Sequence, residues 1–134
     1  MYLLDTMVLS ELRKKDRNPG VTAWISGKPD RELFISVVSV GEIARGIAQQ
    51  DKHDKVFAGV LRQWLEKLLL LYSERILPVD TPVAKRWGEL GAQLHNSGAD
   101  ILLAATAIEH GLCIVTRNKK HFEPTGAEII NPWT

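Results

Sequence analysis

The run Leu112-Cys113-Ile114-Val115-Thr116, followed at once by Arg117-Asn118, is short, apolar and rich in β-branched residues. It reads as a strand buried on both faces and ending on a polar turn. Four more runs read the same way: Tyr2 to Leu4, Leu33 to Val38, Ile76 to Val79 and Glu128 to Ile130. Between them, apolar residues recur at helical spacing over Val8 to Lys14, Val40 to Gln49, Val56 to Leu71, Val83 to Leu94 and Ile101 to Glu109. Strand and helix in alternation predict an α/β fold, a parallel sheet of about five strands flanked by helices.

With 134 residues, 45% hydrophobic and 25% charged, the chain supplies one packed core and too little for two, so residues 1–134 are read as one domain. Asn18-Pro19-Gly20 and Gly27-Lys28-Pro29-Asp30 are turn signals. The net charge of +1 gives no basic excess of the kind that announces a nucleic-acid partner, so any case for RNA rests on the site itself. Cys113, the single cysteine, excludes an intrachain disulfide, and its apolar run predicts a buried thiol in a reducing compartment. No secretory leader is expected from Tyr2-Leu3-Leu4-Asp5, and the longest apolar run, Leu68 to Tyr72, is too short to span a bilayer. A cytoplasmic protein without membrane contact is the expectation. On the helix over Val56 to Leu71, residues Val56, Phe57, Val60, Leu61, Trp64, Leu65, Leu68 and Leu69 form one stripe. Core packing explains it, and so does self-association anchored by Trp64.

In an open parallel sheet, ligands bind beyond the carboxyl ends of the strands, so the polar residues that follow strand runs carry the functional information. Asp5 ends the first run, Glu42 follows Ser39-Val40-Gly41, Asp100 opens the helix before Glu109, and Asn118 follows Thr116-Arg117. Each has a purely structural explanation. Ser39-x-x-Glu42 has the pattern of a capping box, Asp5 or Thr6 suits the N-cap of the first helix, Asp100 suits that of the later one, and Asn118 suits a turn with Lys119 and Lys120. Together the acids mean more, because three carboxylates at one sheet end repel unless a hard cation neutralises them. Mg²⁺ or Mn²⁺ takes such ligands, keeps several waters and suits phosphodiester hydrolysis.

On these residues the sequence resembles the PIN-domain family, in particular its VapC-type and FitB-like toxin ribonucleases. The matching segments are Leu3-Leu4-Asp5-Thr6, Ser39 to Gly46, Asp100 to Ala107, Val115 to Phe122 and Ile130-Asn131-Pro132-Trp133, nearly end to end. The resemblance implies a Mg²⁺- or Mn²⁺-dependent endoribonuclease, the toxin of a type II toxin–antitoxin pair. Asp5, Glu42 and Asp100 would be its acidic and metal-binding positions, with Asp5 and Asp100 the direct ligands. Thr6 and Thr116 would have supporting roles, and Asn118 would complete the catalytic set. It also implies a homodimer and a hetero-oligomer with a DNA-binding antitoxin. Three departures stand out. Met7 replaces a common Asn, Asn118 stands where many relatives carry a fourth acid, and the stretch Leu94 to Asp100 is short.

Other chemistries fit poorly. A haloacid-dehalogenase-like phosphatase needs an acid at position 7, and Gly88-Glu89-Leu90-Gly91 is no phosphate-binding loop. His53, His95, His110 and His121 lack zinc spacing, and His121 beside Lys119 and Lys120 reads as an exposed basic turn or a phosphate contact. The alternative of another class is a catalytically weak PIN module acting mainly as the partner of a DNA-binding antitoxin. Substrate choice would rest on Arg13, Lys14, Lys15, Arg45, Arg117, Lys119 and Lys120.

Overall fold

The computed structural model describes residues 1–134 and builds them around five short strands, β1 (Tyr2–Leu4), β2 (Leu33–Ser36), β3 (Ile76–Leu77), β4 (Cys113–Val115) and β5 (Ile129–Ile130). Seven helices connect them: α1 (Thr6–Arg13), α2 (Pro19–Ser26), α3 (Val37–Asp51), α4 (Lys55–Leu71), α5 (Thr81–Leu94), α6 (Ala99–His110) and α7 (Lys119–Phe122). All strand pairs are parallel and the order is β3-β2-β1-β4-β5. Leu3 and Leu4 of β1 stand opposite Ile114 and Val115 of β4. From β1 the chain moves outward through β2 to β3, then returns to lay β4 and β5 on the other side. The carboxyl ends of β1 and β4 therefore flank a topological switch point, where a parallel sheet leaves a crevice.

Side-chain alternation divides the core. Leu4, Leu33, Ile35 and Val115 face α1 to α4, and Leu3 and Ile114 face α5 to α7. Helix α6 lies so close to the sheet that Ile101, Leu103, Ala104, Ala105, Thr106 and Ala107 are all buried. The Thr106 hydroxyl is satisfied by Leu102 O at 2.8 Å. No helix is long and apolar enough to cross a membrane.

The expected strands are all present, and four of the five are shorter than expected. Edge strands β3 and β5 are only half-buried, because each has one sheet neighbour. The run Leu33 to Val38 stops being strand at Ser36, whose hydroxyl accepts the Val38 amide at 3.0 Å and caps α3. The expected capping box at Ser39 and Glu42 is thus overturned, since both residues lie inside α3. Asn18-Pro19-Gly20 is the start of α2 rather than a free turn. Asn18 Oδ1 accepts the Gly20 and Val21 amides at 3.0 and 3.3 Å, and Pro19 sits where no amide is needed. A side chain at Gly20 would collide with Pro132 O and Thr134, because the C-terminal segment crosses there. Asn18 Nδ2 holds that segment by donating to Thr134 O at 3.0 Å.

On α4 the stripe splits. Trp64, the expected anchor for self-association, packs against the core with Leu61 and Leu65, while Val56 and Val60 stand 81% and 54% exposed. The Cys113 thiol, expected buried, is half-buried, and burial still pushes its pKa up.

Candidate functional site

At the end of β1 the backbone turns into α1 at Asp5, and the geometry of that turn holds the carboxylate on both sides. Oδ1 accepts the Thr6 amide at 2.7 Å as an N-cap, and Oδ2 accepts the Thr116 hydroxyl at 2.8 Å from the neighbouring end of β4. Thr116 is itself fully buried and accepts the Asn118 amide at 3.0 Å, so its hydroxyl proton is directed at Asp5. Asp5 is 6% exposed. Burial pushes its pKa above the ordinary aspartate value, the hydrogen bonds from Thr116 and Thr6 pull it down, and the charges of Asp100 and Glu42 push it up. The chain thus brings Asp100 and Glu42 into electrostatic reach of Asp5, and the structural role of Asp5 as a cap coexists with that.

Glu42 projects from α3 with its Oε1 2.7 Å from Thr6 Oγ1. Ser39, one turn earlier on the same helix face, lies 2.9 Å from the same hydroxyl. Thr6 has one proton to give and the carboxylate can only accept, so Ser39 donates to Thr6 and Thr6 to Glu42. Asp100 does not cap α6. Gly98 is the capping residue, and Asp100 sits in the first turn, where a negative charge suits the helix dipole.

Asp100 Oδ2 lies 3.1 Å from Nδ1 of His121, a residue that the sequence presents as part of a basic turn. The contact needs α7, a single turn anchored by fully buried Phe122, to bring the ring back over the start of α6. The only trace of it in the sequence is an apolar Phe122 closing an otherwise charged run. Asn118 reaches neither Asp5 nor Asp100 by a side-chain hydrogen bond; its Nδ2 donates to Met7 Sδ at 3.1 Å, so two of the family departures contact each other at the rim.

No group of three His, Cys, Asp or Glu side chains converges tightly enough to cage an ion unaided. The donor set still fits a hard divalent cation. Asp5 is a buried carboxylate whose charge two neighbouring acids make costlier, and Mg²⁺-type ions bind through few protein oxygens with water filling the remainder. Beside the acids, Arg117, Asn118, Lys119, Lys120, His121 and Asn131 line a concavity of about 360 Å³. Acidic and basic groups are thus segregated side by side, which the net charge of +1 conceals. Arg13 and Lys14 are occupied elsewhere, Arg13 over the Phe57 ring at 5.5 Å and Lys14 on Glu11 at 3.1 Å.

Compared with protein families, residues 2–126 match the PIN domain. A VapC ribonuclease of Sinorhizobium fredii, Y4jK, is 36% identical over 140 residues, spanning 99% of this chain and 98% of its own. Toxin FitB of Neisseria gonorrhoeae is 34% identical over 139 residues, 99% of each chain. Among solved structures, FitAcB from Neisseria gonorrhoeae superposes with a TM-score of 0.89 at 34% identity, over 99% of both chains. FitAB bound to an IR36 DNA fragment gives 0.85 at 33%, over 100% of this chain and 96% of that one.

Proposed function

The chain belongs to the PIN-domain family, and from that premise we propose that it is a metal-dependent endoribonuclease serving as the toxin of a toxin–antitoxin pair. The observation that carries this is Asp5, a carboxylate buried at a sheet switch point and made costly to ionise first by that burial, with the charges of Asp100 and Glu42 adding to it. A residue serving only as a cap gains nothing from such surroundings. Asp5 and Asp100 would hold Mg²⁺ or Mn²⁺, with Glu42 beside them. When bound, the ion supplies activation of water as nucleophile and charge stabilisation at the scissile phosphate.

The protein's own groups do the positioning. Thr116 and the Thr6 amide fix both oxygens of Asp5, and the Thr6 hydroxyl fixes Glu42. Arg117, Lys119 and Lys120 line the adjacent concavity, where flanking phosphates would sit. A FitA-like, DNA-binding antitoxin is the partner this reading supplies, supported by the likeness to the FitAcB and FitAB structures. A homodimer is part of the proposal, with exposed Val56 and Val60 of α4 as its surface.

Purified, antitoxin-free protein should cleave RNA with Mg²⁺ or Mn²⁺ and stop with EDTA. Asp5→Asn and Asp100→Asn should abolish cleavage and stay folded. Metal-independent cleavage, or full activity in both variants, would sink the mechanism. The Met7–Asn118 contact favours a second reading, a catalytically weak module that acts by binding its antitoxin. Tight antitoxin binding without cleavage under any metal would establish that reading.

A further inference from the structure

Arg117 lines two concavities at once. One is the basic hollow beside the acids; the other, of about 330 Å³, lies on its far side between Glu11, Asp16, Arg17, Pro19 and Trp133. Arg117 directly follows Thr116, whose hydroxyl holds Asp5, so the second concavity is tied in register to the acidic centre. The Arg117 guanidinium lies over the Trp133 ring at 5.7 Å and enters none of the protein's ion pairs. A planar cation braced on an aromatic ring, in an exposed residue, is a stacking plate for an unpaired base.

The polar walls differ in whether they are already engaged. Glu11 is engaged, since it accepts the Asn18 amide at 2.9 Å and Lys14 Nζ at 3.1 Å. Asp16 is exposed and belongs to no ion pair. Arg17 donates through Nε to Lys14 O at 3.0 Å, which leaves its terminal nitrogens as donors. A carboxylate only accepts and a guanidinium only donates. Guanine has the matching edge, two adjacent N–H donors at N1 and N2 beside the O6 acceptor. Adenine, cytosine and uracil each set a single donor group next to an acceptor, which would face a carboxylate oxygen.

We propose that this second concavity is a nucleobase subsite, in which a guanine of single-stranded RNA stacks on Arg117 and pairs its edge with Asp16 and Arg17. The proposal rests on the ribonuclease reading above and adds a base preference to it. Phosphates follow Lys119 and Lys120, and the guanine turns over Arg117 into the hollow behind.

The test titrates the full chain, in EDTA so that nothing is cut, into short fluorescein-labelled RNAs made of adenine alone or with one central guanine. Fluorescence anisotropy reads the binding. Guanine should tighten it by about tenfold. Asp16→Asn should erase that preference while binding the adenine RNA at least as tightly. Arg117→Lys keeps the charge but loses the plate, and should weaken the guanine RNA by about tenfold. With Mg²⁺ or Mn²⁺ restored to the wild type, the mapped ends of cleaved RNA should carry a guanine at one fixed offset from the cut. Equal binding of the two RNAs, a preference that survives Asp16→Asn, or cleaved ends without a fixed guanine overturns the subsite; cleavage of RNA in the same preparation then leaves the ribonuclease reading standing. A wild type that neither binds nor cleaves either RNA overturns both.

Discussion

Replacing Asp5 by Asn should stabilise the metal-free protein while abolishing its activity. At neutral pH the Asp5 anion receives two charge-assisted hydrogen bonds, from the Thr6 amide at 2.7 Å and the Thr116 hydroxyl at 2.8 Å. Asn keeps an oxygen for Thr6, and its amide can donate to Thr116 Oγ1. Exchanging charged for neutral bonds costs about 1 kcal/mol each, roughly 2 in all. Removing a buried charge that no cation pairs returns several kcal/mol. The raised pKa of Asp5, owed first to burial, means that its surroundings disfavour the anion relative to a neutral group, and this sets the direction expected for Asn. A net gain of about 1 kcal/mol corresponds to roughly 3–5 °C in melting temperature for a domain of this size. A carboxyl whose pKa is raised on folding contributes its stability below the unfolded-state pKa and loses it as pH rises through the folded value. The Asn variant should therefore melt above wild type at pH 7.5 in EDTA, and the gap should close towards pH 4. Mn²⁺ at 100 times its Kd should add about 2.7 kcal/mol to wild type alone and invert the order. An Asn variant that melts lower in EDTA, or a gap that ignores pH, would contradict the account of Asp5 as a charge awaiting a cation.

Thr6→Val should lower cleavage by about tenfold or more, because Glu42 loses its donor, yet change stability by no more than about 1 kcal/mol; Thr6→Ser should restore activity. The Glu11 carboxyl is held below the ordinary glutamate range, first by the Asn18 amide at 2.9 Å and then by Lys14. Its stabilisation is present above the unfolded-state pKa and lost as pH falls through the folded one. Urea midpoints of Glu11→Gln should thus lie below wild type at pH 7 and converge with it in acid. Lys119→Ala with Lys120→Ala should weaken RNA binding for all sequences and flatten the salt dependence of log K by about 0.7 per lost contact on a single strand. Trp64→Glu should destabilise the fold by about 3 kcal/mol, because Trp64 packs on the core, whereas Val60→Glu should stay folded and shift sedimentation towards monomer.

Most of the sheet was legible in the sequence because its strands are apolar runs with nothing competing for them. Tyr2 to Leu4 has the expected bounds, and Cys113 to Val115 lies within its expected run. Errors fell where a local hydrogen bond overrode composition. Val37 and Val38 are good strand residues, but buried Ser36 offers its hydroxyl to the Val38 amide and starts a helix there. Asn18-Pro19-Gly20 suits a turn and a helix start equally, and which one forms depends on the apolar residues Val21, Trp24 and Ile25 finding the core. At the site, Asp5, Glu42 and Asp100 were visible as acids following strand runs. The roles of the hydroxyls were visible only by family likeness. That His121 reaches Asp100 was not visible, since it depends on one helical turn whose direction Phe122 decides by burying itself.

The hydrogen bond from Thr116 to Asp5 joins residues 111 positions apart, and it has a consequence for synthesis. As the chain is made from its N-terminus, β1, β2 and β3 can pair before β4 exists. A product halted after β3 would carry Asp5 and Glu42 but neither Asp100, Thr116 nor His121. The acidic centre is thus completed only after α6 and β4 have been made. A ribosome translating this message would carry a chain in which Asp5 lacks its Thr116 donor until β4 emerges, and products halted earlier would lack that hydrogen bond.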